Sequence, residues 1–293
     1  MNGHHPPQCH DRAFLLGMAL NGAYIAVEAG CGLVFDSMAL LSDAGHNLTD
    51  VLALGLAWTA AWLAGREPSE RHTYGMKRAT ILASLTSAVL LCVALGALLW
   101  EAAARLREPV ATSGLPIMIV AGIGVLINGY TAWLFHRGAP GDLNLRAVFL
   151  HMLSDAAVSL GVVLAGLGIT LTGAAWIDPA VAIVVGLVIL VSGLGLLRES
   201  LDLAMDAVPR HIDLAEVRGA LQSLPGVQEV HHLHVWAMST TETALTAHLV
   251  LRPGSDPDAL LRQAGEVLRR RFGIGHPTLQ LERASGRGCP VEC

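Results

Sequence analysis

Six long apolar runs follow one another through the first two thirds of the chain. They lie at about 13–35, 38–64, 78–101, 114–135, 144–171 and 177–198. Each holds ~20 or more residues, enough for an α-helix to cross a ~30 Å hydrocarbon core. Polar residues collect in the gaps: a two-residue turn at Asp36-Ser37, a charged stretch over 65–77, a loop with Arg105, Arg107 and Pro109, and Gly138-Ala139-Pro140-Gly141. Trp176-Ile177-Asp178-Pro179 opens the sixth run. After about residue 206 the runs shorten and charges multiply. Helical spacing over 213–224 (Leu214, Val217, Leu221) gives way to strand-like stretches at 227–238 and 244–251. A helix over 257–272 and a short strand at 278–282 follow. The order αββαβ in so few residues predicts a small α+β domain with helices on one sheet face. Its thin core favours pairing with a second copy.

The exceptions inside the apolar runs carry the chemistry. His46-Asn47-Leu48-Thr49-Asp50 lies in the second run and His151-Met152-Leu153-Ser154-Asp155 in the fifth, both of the form His-x-Leu-[Thr/Ser]-Asp. Residues four apart on a helix project from one face. Side by side, the two helices would offer two imidazoles and two carboxylates, a four-ligand set suited to a tetrahedral divalent metal, zinc first. The plainer alternative is a hydrogen-bonded pair joining two helices. Ionisable groups in a membrane segment are costly, which weighs against accident. Asp43 could sit on the outer approach to this set or make a structural hydrogen bond. Asn21, Glu28 and Asn128 read as polar contacts between helices.

Composition agrees with a membrane protein. Of 293 residues, 53% are hydrophobic and only 15% charged, with a mean hydropathy of +0.52; soluble domains carry about 25% charged residues. A net charge of −5 gives no hint of nucleic-acid binding. If both termini share one side, that side receives Arg12, Arg66, Arg71, Lys77, Arg78, Arg137, Arg146 and Arg198, against Arg105 and Arg107 opposite. The positive-inside rule then places both termini in the cytoplasm, at the plasma (inner) membrane if the source is prokaryotic. The first run reads as a retained helix and not a cleaved signal. The expected division is a flexible His/Cys-bearing tail at 1–12, a membrane domain at 13–205, a cytoplasmic domain at 206–285 and a Cys-bearing tail at 286–293.

The run Met38-Ala39-Leu40-Leu41-Ser42-Asp43-Ala44-Gly45-His46-Asn47-Leu48-Thr49-Asp50 resembles the second membrane helix of the cation diffusion facilitator family of zinc transporters. Residues 144–155 resemble its fifth helix, Asp178-Pro179 the opening of its sixth, and Val230-His231-His232-Leu233-His234-Val235-Trp236 the first strand of its cytoplasmic domain. The resemblance spans roughly residues 10–285. It implies an α-helical membrane protein with six transmembrane helices, followed by a small α+β ferredoxin-like cytoplasmic domain. It implies a homodimer that exports Zn(II) in exchange for protons, with His46, Asp50, His151 and Asp155 as the transport site. A His at the first of these positions goes, in that family, with preference for zinc over cadmium.

The resemblance also implies regulatory zinc at His231, His248 and Glu282, with His276 nearby. Simple strand alternation puts His232 and His234 on one face and His231 on the other. The charged connection after the second run resembles a family loop that sometimes holds metal, but here His72 is accompanied by Ser69 and Met76. Thr80 stands where many relatives carry an acid, and Lys77 or Arg78 could pair with Asp202 or Asp206. Cys9-His10 and the Cys289/Cys293 pair offer a further composite cytoplasmic site, as some family members have, or are idle thiols. Cys31 and Cys92 read as small core residues.

The leading expectation is secondary active efflux of Zn(II), not an enzyme. The His-Glu-x-x-His pattern of a zinc protease is missing from the sequence. A channel would need a continuous polar stripe. A membrane-anchored zinc sensor or scaffold without transport stays open as the alternative. Mn²⁺, Co²⁺, Fe²⁺ and Cd²⁺ stay open as further cargo.

Overall fold

Backbone in lipid must satisfy its own hydrogen bonds, and continuous helix is the way a single segment does so. The chain forms six consecutive helices: α1 (Asp11–Val34), α2 (Met38–Ala64), α3 (Ala79–Arg107), α4 (Gly114–His136), α5 (Leu143–Thr172) and α6 (Ile177–Ala204). The computed structural model describes residues 11–108, 110, 113–136 and 143–283. Side chains are described for 22–49, 51–52, 55–108, 110, 113–133 and 152–283. Over the described residues, four segments are long and apolar enough to cross a membrane by themselves: Ala79–Arg107, Gly114–Trp133, Met152–Thr172 and Ile177–Ala204. Helices α3 and α6 run several residues past the ends of their apolar runs. The extensions (Ala102 to Arg107, Glu199 to Ala204) are built from Ala, Leu, Arg, Glu, Ser and Asp, mostly good helix formers that need no lipid to stay helical.

The chain divides into two units. One comprises Met1–Gly55 with Ser87–Gly195, the other Leu56–Thr86 with Leu196–Cys293. In the first, α4 and α5 pack at glycine: a Cβ on Gly114 would stand 2.3 Å from the Gly166 carbonyl, and one on Gly166 2.7 Å from Met118. Small residues at such contacts let membrane helices approach closely where no hydrophobic effect drives them together. Tyr24, Leu40, Ile117, Val120, Val162 and Ile169 form one buried cluster. Leu91, Leu95, Val185 and Ile189 join α3 to α6 in another.

The start of α2 is fixed from outside its own helix. Asp178, buried in the first turn of α6, accepts from Ser37 Oγ (2.5 Å), Met38 N (2.7 Å) and Ala39 N (3.4 Å). Ser37 Oγ in turn accepts from Leu40 N at 3.3 Å. The orphan donors of a helix N-terminus are thus satisfied by a carboxylate, which also suits the positive end of the helix dipole. Asp36, with φ 54, makes the turn into this cap, and Arg105 holds it through the Asp36 carboxylate (2.6 Å) and carbonyl (3.0 Å).

The second unit contains α7 (Leu214–Gln222), β1 (Val227–Ala237), β2 (Thr243–Leu251), α8 (Pro257–Phe272) and β3 (Ile274–Arg283). The sheet order is β1-β2-β3, with β1 and β2 antiparallel and β2 and β3 parallel. The parallel pair needs a crossover, which α8 supplies. Asp213 and Asp256 cap the two helices by accepting from backbone N–H groups two and three residues on. Gly273, at φ 68, ends α8. Strand β3 starts at Ile274 and not at 278, because it pairs with β2 along its whole length. Pro277 is tolerated there because β3 is an edge strand. Val217, Leu221, Val235, Leu245, Leu249, Leu268 and Ile274 form the core.

The connection from α2 to α3 is an ordered set of turns, with Ser69 and His72 exchanging backbone hydrogen bonds and Gly75 at φ 73. Within this unit it is tied to the β1–β2 turn: Lys77 donates to Glu242, and Thr240 N donates to Thr80 Oγ at 3.1 Å. The sequence offered Asp202 or Asp206 as partners for the two cations; Arg78 takes Asp206, while Lys77 goes to Glu242. Donation from Lys77 holds the Glu242 carboxyl below its ordinary value of 4.5; burial opposes this and a contact with His276 adds to it. A lowered folded value means the contribution is full above about pH 4.5 and is lost as pH falls through the depressed value. Thermal stability is therefore expected to drop on acidification, and Glu242→Gln to flatten that drop. Superimposable Tm-against-pH curves for the two proteins would contradict the assignment.

Candidate metal centres

Polar residues on α2 recur as Asp43, His46 and Asn47, steps that keep them on one helix face, and Asp50 continues the series. Two of them meet α5. Ser159 Oγ donates to Asp43 Oδ2 at 2.9 Å, and His46 Nε2 lies 3.4 Å from Asp155 Oδ1. His46 is 13% and Asp155 4% exposed at the side chain. The pairings 43 with 159 and 46 with 155 define an antiparallel register. Counted on by one turn in the same sense, the sequence partner of 50 is 151. The side chains of Asp50 and His151 lie outside the described residues. Of the four predicted transport ligands, the structure therefore brings His46 and Asp155 together.

A buried hydrogen-bond network backs this face. Tyr24 Oη donates to Glu28 Oε1 at 2.5 Å, and Asn47 Nδ2 to Glu28 Oε2 at 3.4 Å. All three side chains are buried, Glu28 completely. Room for the phenol comes from Gly124 on α4, where a Cβ would stand 2.2 Å from the Tyr24 hydroxyl. Glu28 thus acts as an interhelical contact, as its sequence setting suggested. Asn128 is buried, but its Nδ2 has no hydrogen-bond partner among the described residues, so the interhelical contact expected of it is not seen at that donor. Asp43, fully buried beside Ser159, takes the structural hydrogen bond of its two possible roles. Ser159 and Tyr24 were missed from sequence. The only signal for Ser159 was its position one turn beyond Asp155.

In the small α+β domain, His231, His248 and Glu282 come together. Glu282 takes His231 Nε2 on one oxygen (3.1 Å) and His248 Nδ1 on the other (2.8 Å). Burial pushes the Glu282 carboxyl up, but its bonds to the two imidazoles outweigh that and hold it below 4.5. Strand alternation had set His232 on the opposite face from His231, and this is wrong. Three steps along β1, from His231 to His234, stand where β2 takes two, from His248 to Thr246. His232 takes up the surplus at φ 47, a β-bulge that turns it to its neighbour's side. The nitrogens of His231, His232 and His248 then lie within 4.8 Å of one another, each half-buried. Zinc–nitrogen bonds of about 2.0–2.1 Å lie within reach of small side-chain rotations, so the donor set fits zinc, with Glu282 as fourth ligand or as orienting acceptor. His276 belongs elsewhere; its Nε2 lies 2.9 Å from Glu242. His234 is exposed. Cys9, His10, Cys289 and Cys293 lie outside the described residues.

Apolar helices that bury an imidazole beside a carboxylate define a multi-pass membrane protein equipped to handle cations. Comparison with known proteins gives the family. Residues 14–203 match the cation efflux transmembrane domain and residues 209–284 the cytoplasmic domain of cation efflux proteins, so the chain belongs to the cation efflux family, whose members are transporters. It is 37% identical to the zinc transporter ZitB of Escherichia coli, over 96% of this chain and 90% of that one. It is 34% identical to the metal cation efflux system protein CzcD of Cupriavidus metallidurans, over 97% and 90%. A Bacillus velezensis protein named a cadmium, cobalt and zinc/H(+)-K(+) antiporter is 32% identical over 97% and 92%. A solved structure described as the metal-bound C-terminal domain of CzcD matches 24% of this chain and 99% of its own at 36% identity. Its TM-score of 0.24 is too low to bear on the arrangement of this chain.

Replacing Asp178 by Ala strips the acceptor from one hydroxyl and two backbone donors in a buried setting. A loss of about 1–3 kcal/mol is expected, with Asp178→Asn milder, read from Tm in detergent. An unchanged Tm for the Ala variant would refute the cap. His232→Ala is expected to weaken cytoplasmic zinc binding about tenfold or more in chelator competition, while His234→Ala leaves it alone. Equal effects of the two would restore simple alternation.

Proposed function

We propose that this protein exports Zn(II) from the cytoplasm in exchange for protons, through a site formed by His46, Asp50, His151 and Asp155 between α2 and α5. The observation that carries the reading is the buried approach of His46 Nε2 to Asp155 Oδ1 across the two helices. The antiparallel sense of the 43–159 and 46–155 pairings, in which 50 and 151 are the next partners by count, supports it. So do relatives named as zinc transporters and, for the proton, a relative named as an H(+)-coupled antiporter. Zinc takes neutral imidazole and ionised carboxylate, so loading the site expels protons and unloading takes them back. With access alternating between the two sides, the inward proton gradient drives the metal out.

The working unit in this reading is a homodimer in the plasma (inner) membrane. Both termini are cytoplasmic, the membrane domain spans 13–205 and the ferredoxin-like domain 206–285, with tails at 1–12 and 286–293. The cytoplasmic histidine cluster with Glu282 holds regulatory zinc. Cys9, His10, Cys289 and Cys293 form a further cytoplasmic donor set.

Zinc flux into everted vesicles or proteoliposomes tests this. Wild type is expected to move zinc only while a pH gradient is present, and Asp155→Ala to lose roughly tenfold or more of that flux while keeping its cytoplasmic zinc. Flux indifferent to collapse of the gradient would remove the proton from the mechanism. Retention of cytoplasmic zinc with no flux in wild type would favour a membrane-anchored sensor.

A further inference from the structure

The connection between α2 and α3 carries charge and aromatic surface that neither metal centre uses. Trp58 and Trp62 lie one turn apart on α2, 74% and 55% exposed. The Arg66 guanidinium carbon stands 4.1 Å from the Trp62 ring centroid. Exposed tryptophans at the end of an apolar helix, followed directly by arginine, mark where the hydrocarbon meets the headgroup layer. The residues after that boundary wall a cavity of about 490 Å³. Arg71, His72, Lys77 and Arg78 supply its polar side, Leu82 and Trp236 its apolar side, and no carboxylate lines it. Glu67 and Glu70 belong to the same connection but not to the cavity wall.

The charges do not cancel. Lys77 is matched by Glu242 and Arg78 by Asp206, and Arg71 has no ion-pair partner among the described residues. The cavity keeps one net positive charge with several N–H donors. A free anion would engage the donors and leave the Leu82–Trp236 wall wet. An acyl chain alone would cover that wall and leave the donors facing hydrocarbon. An anion attached to an apolar tail satisfies both sides, and the headgroup layer is where such molecules are concentrated.

We propose that this cavity binds the phosphate headgroup of an anionic membrane phospholipid, with the phosphate on Arg71 and His72 and the start of an acyl chain against Leu82 and Trp236. The site shares no residue with either metal centre and does not rest on the antiport reading. The test uses the full-length protein, delipidated in detergent, with phosphatidylglycerol, phosphatidylcholine or inorganic phosphate added. Binding is followed by native mass spectrometry and by Tm.

Phosphatidylglycerol is expected to bind in preference to phosphatidylcholine and to raise Tm, with inorganic phosphate doing neither. Each cationic charge near the membrane is worth about 1 kcal/mol, so Arg71→Gln is expected to weaken phosphatidylglycerol binding about fivefold. Arg71 is exposed, so the variant's lipid-free Tm should match wild type and exclude misfolding as the cause. Leu82→Ser is expected to weaken the lipid without creating phosphate binding. Equal binding of the two lipids would overturn the proposal, as would full competition by inorganic phosphate or unchanged affinity in Arg71→Gln.

Discussion

Asp178 belongs to α6, yet its carboxylate finishes another helix. By accepting from Ser37 Oγ and the first backbone donors of α2, it decides at which residue α2 begins. Everything functional on α2 is counted from that point. A start one residue later would turn the helix by about 100° and carry Asp43 and His46 away from α5 and Asn47 away from Glu28. In water a frayed first turn would find solvent. At the margin of a membrane the donors need a protein partner, and a buried carboxylate is a strong one. Arg105, bonded to Asp36 in the turn just before, adds a second hold on the same end.

From that anchor the polar face of α2 is read off in turns. Asp43 meets Ser159 and His46 meets Asp155, while Asn47 reaches the other way to Glu28, to which Tyr24 also donates. The helix is therefore held on both flanks of His46 by hydrogen-bonded groups outside the proposed ligand set. Gly124 belongs to the same construction, because any side chain there would displace the phenol that orients Glu28. Buried polar groups are expensive singly and specifying together. Here they fix the rotation of α2 to within one residue.

Much of this was legible in the sequence, for identifiable reasons. The paired His-x-Leu-[Thr/Ser]-Asp patterns stand out because ionisable residues are rare in apolar runs. Helix α8 was legible to the residue, since Asp256-Pro257 and Gly273 are strong stop signals at either end. What escaped were contacts made by ordinary residues. Tyr24, Ser159 and Gly124 have no unusual composition or spacing; their roles exist only once α1, α4 and α5 are packed. Lys77 went to Glu242, 165 residues away, and no local pattern could have chosen it over a nearer acid. The bulge at His232 was missed although its trace is visible. The buried residues of β1 run Val230, Leu233, Val235, and the three-residue step breaks a two-residue period.

That bulge and the α2–α5 contact solve one problem in two ways. A tetrahedral ion needs donors from several directions, whereas a regular strand or helix presents neighbouring donors along one line. In the sheet, an extra residue at positive φ brings His231 and His232 to one place, so the donors lie on a rigid element and suit an ion that stays. Between membrane helices the donors come from separate elements, His46 from α2 and Asp155 from α5, 3.4 Å apart. In the proposed exchange, a cation held by both donors bridges α2 and α5, and its departure removes that bridge. Occupancy is then felt as a change in what holds α2 to α5, which is the coupling a carrier requires and a fixed regulatory site does not.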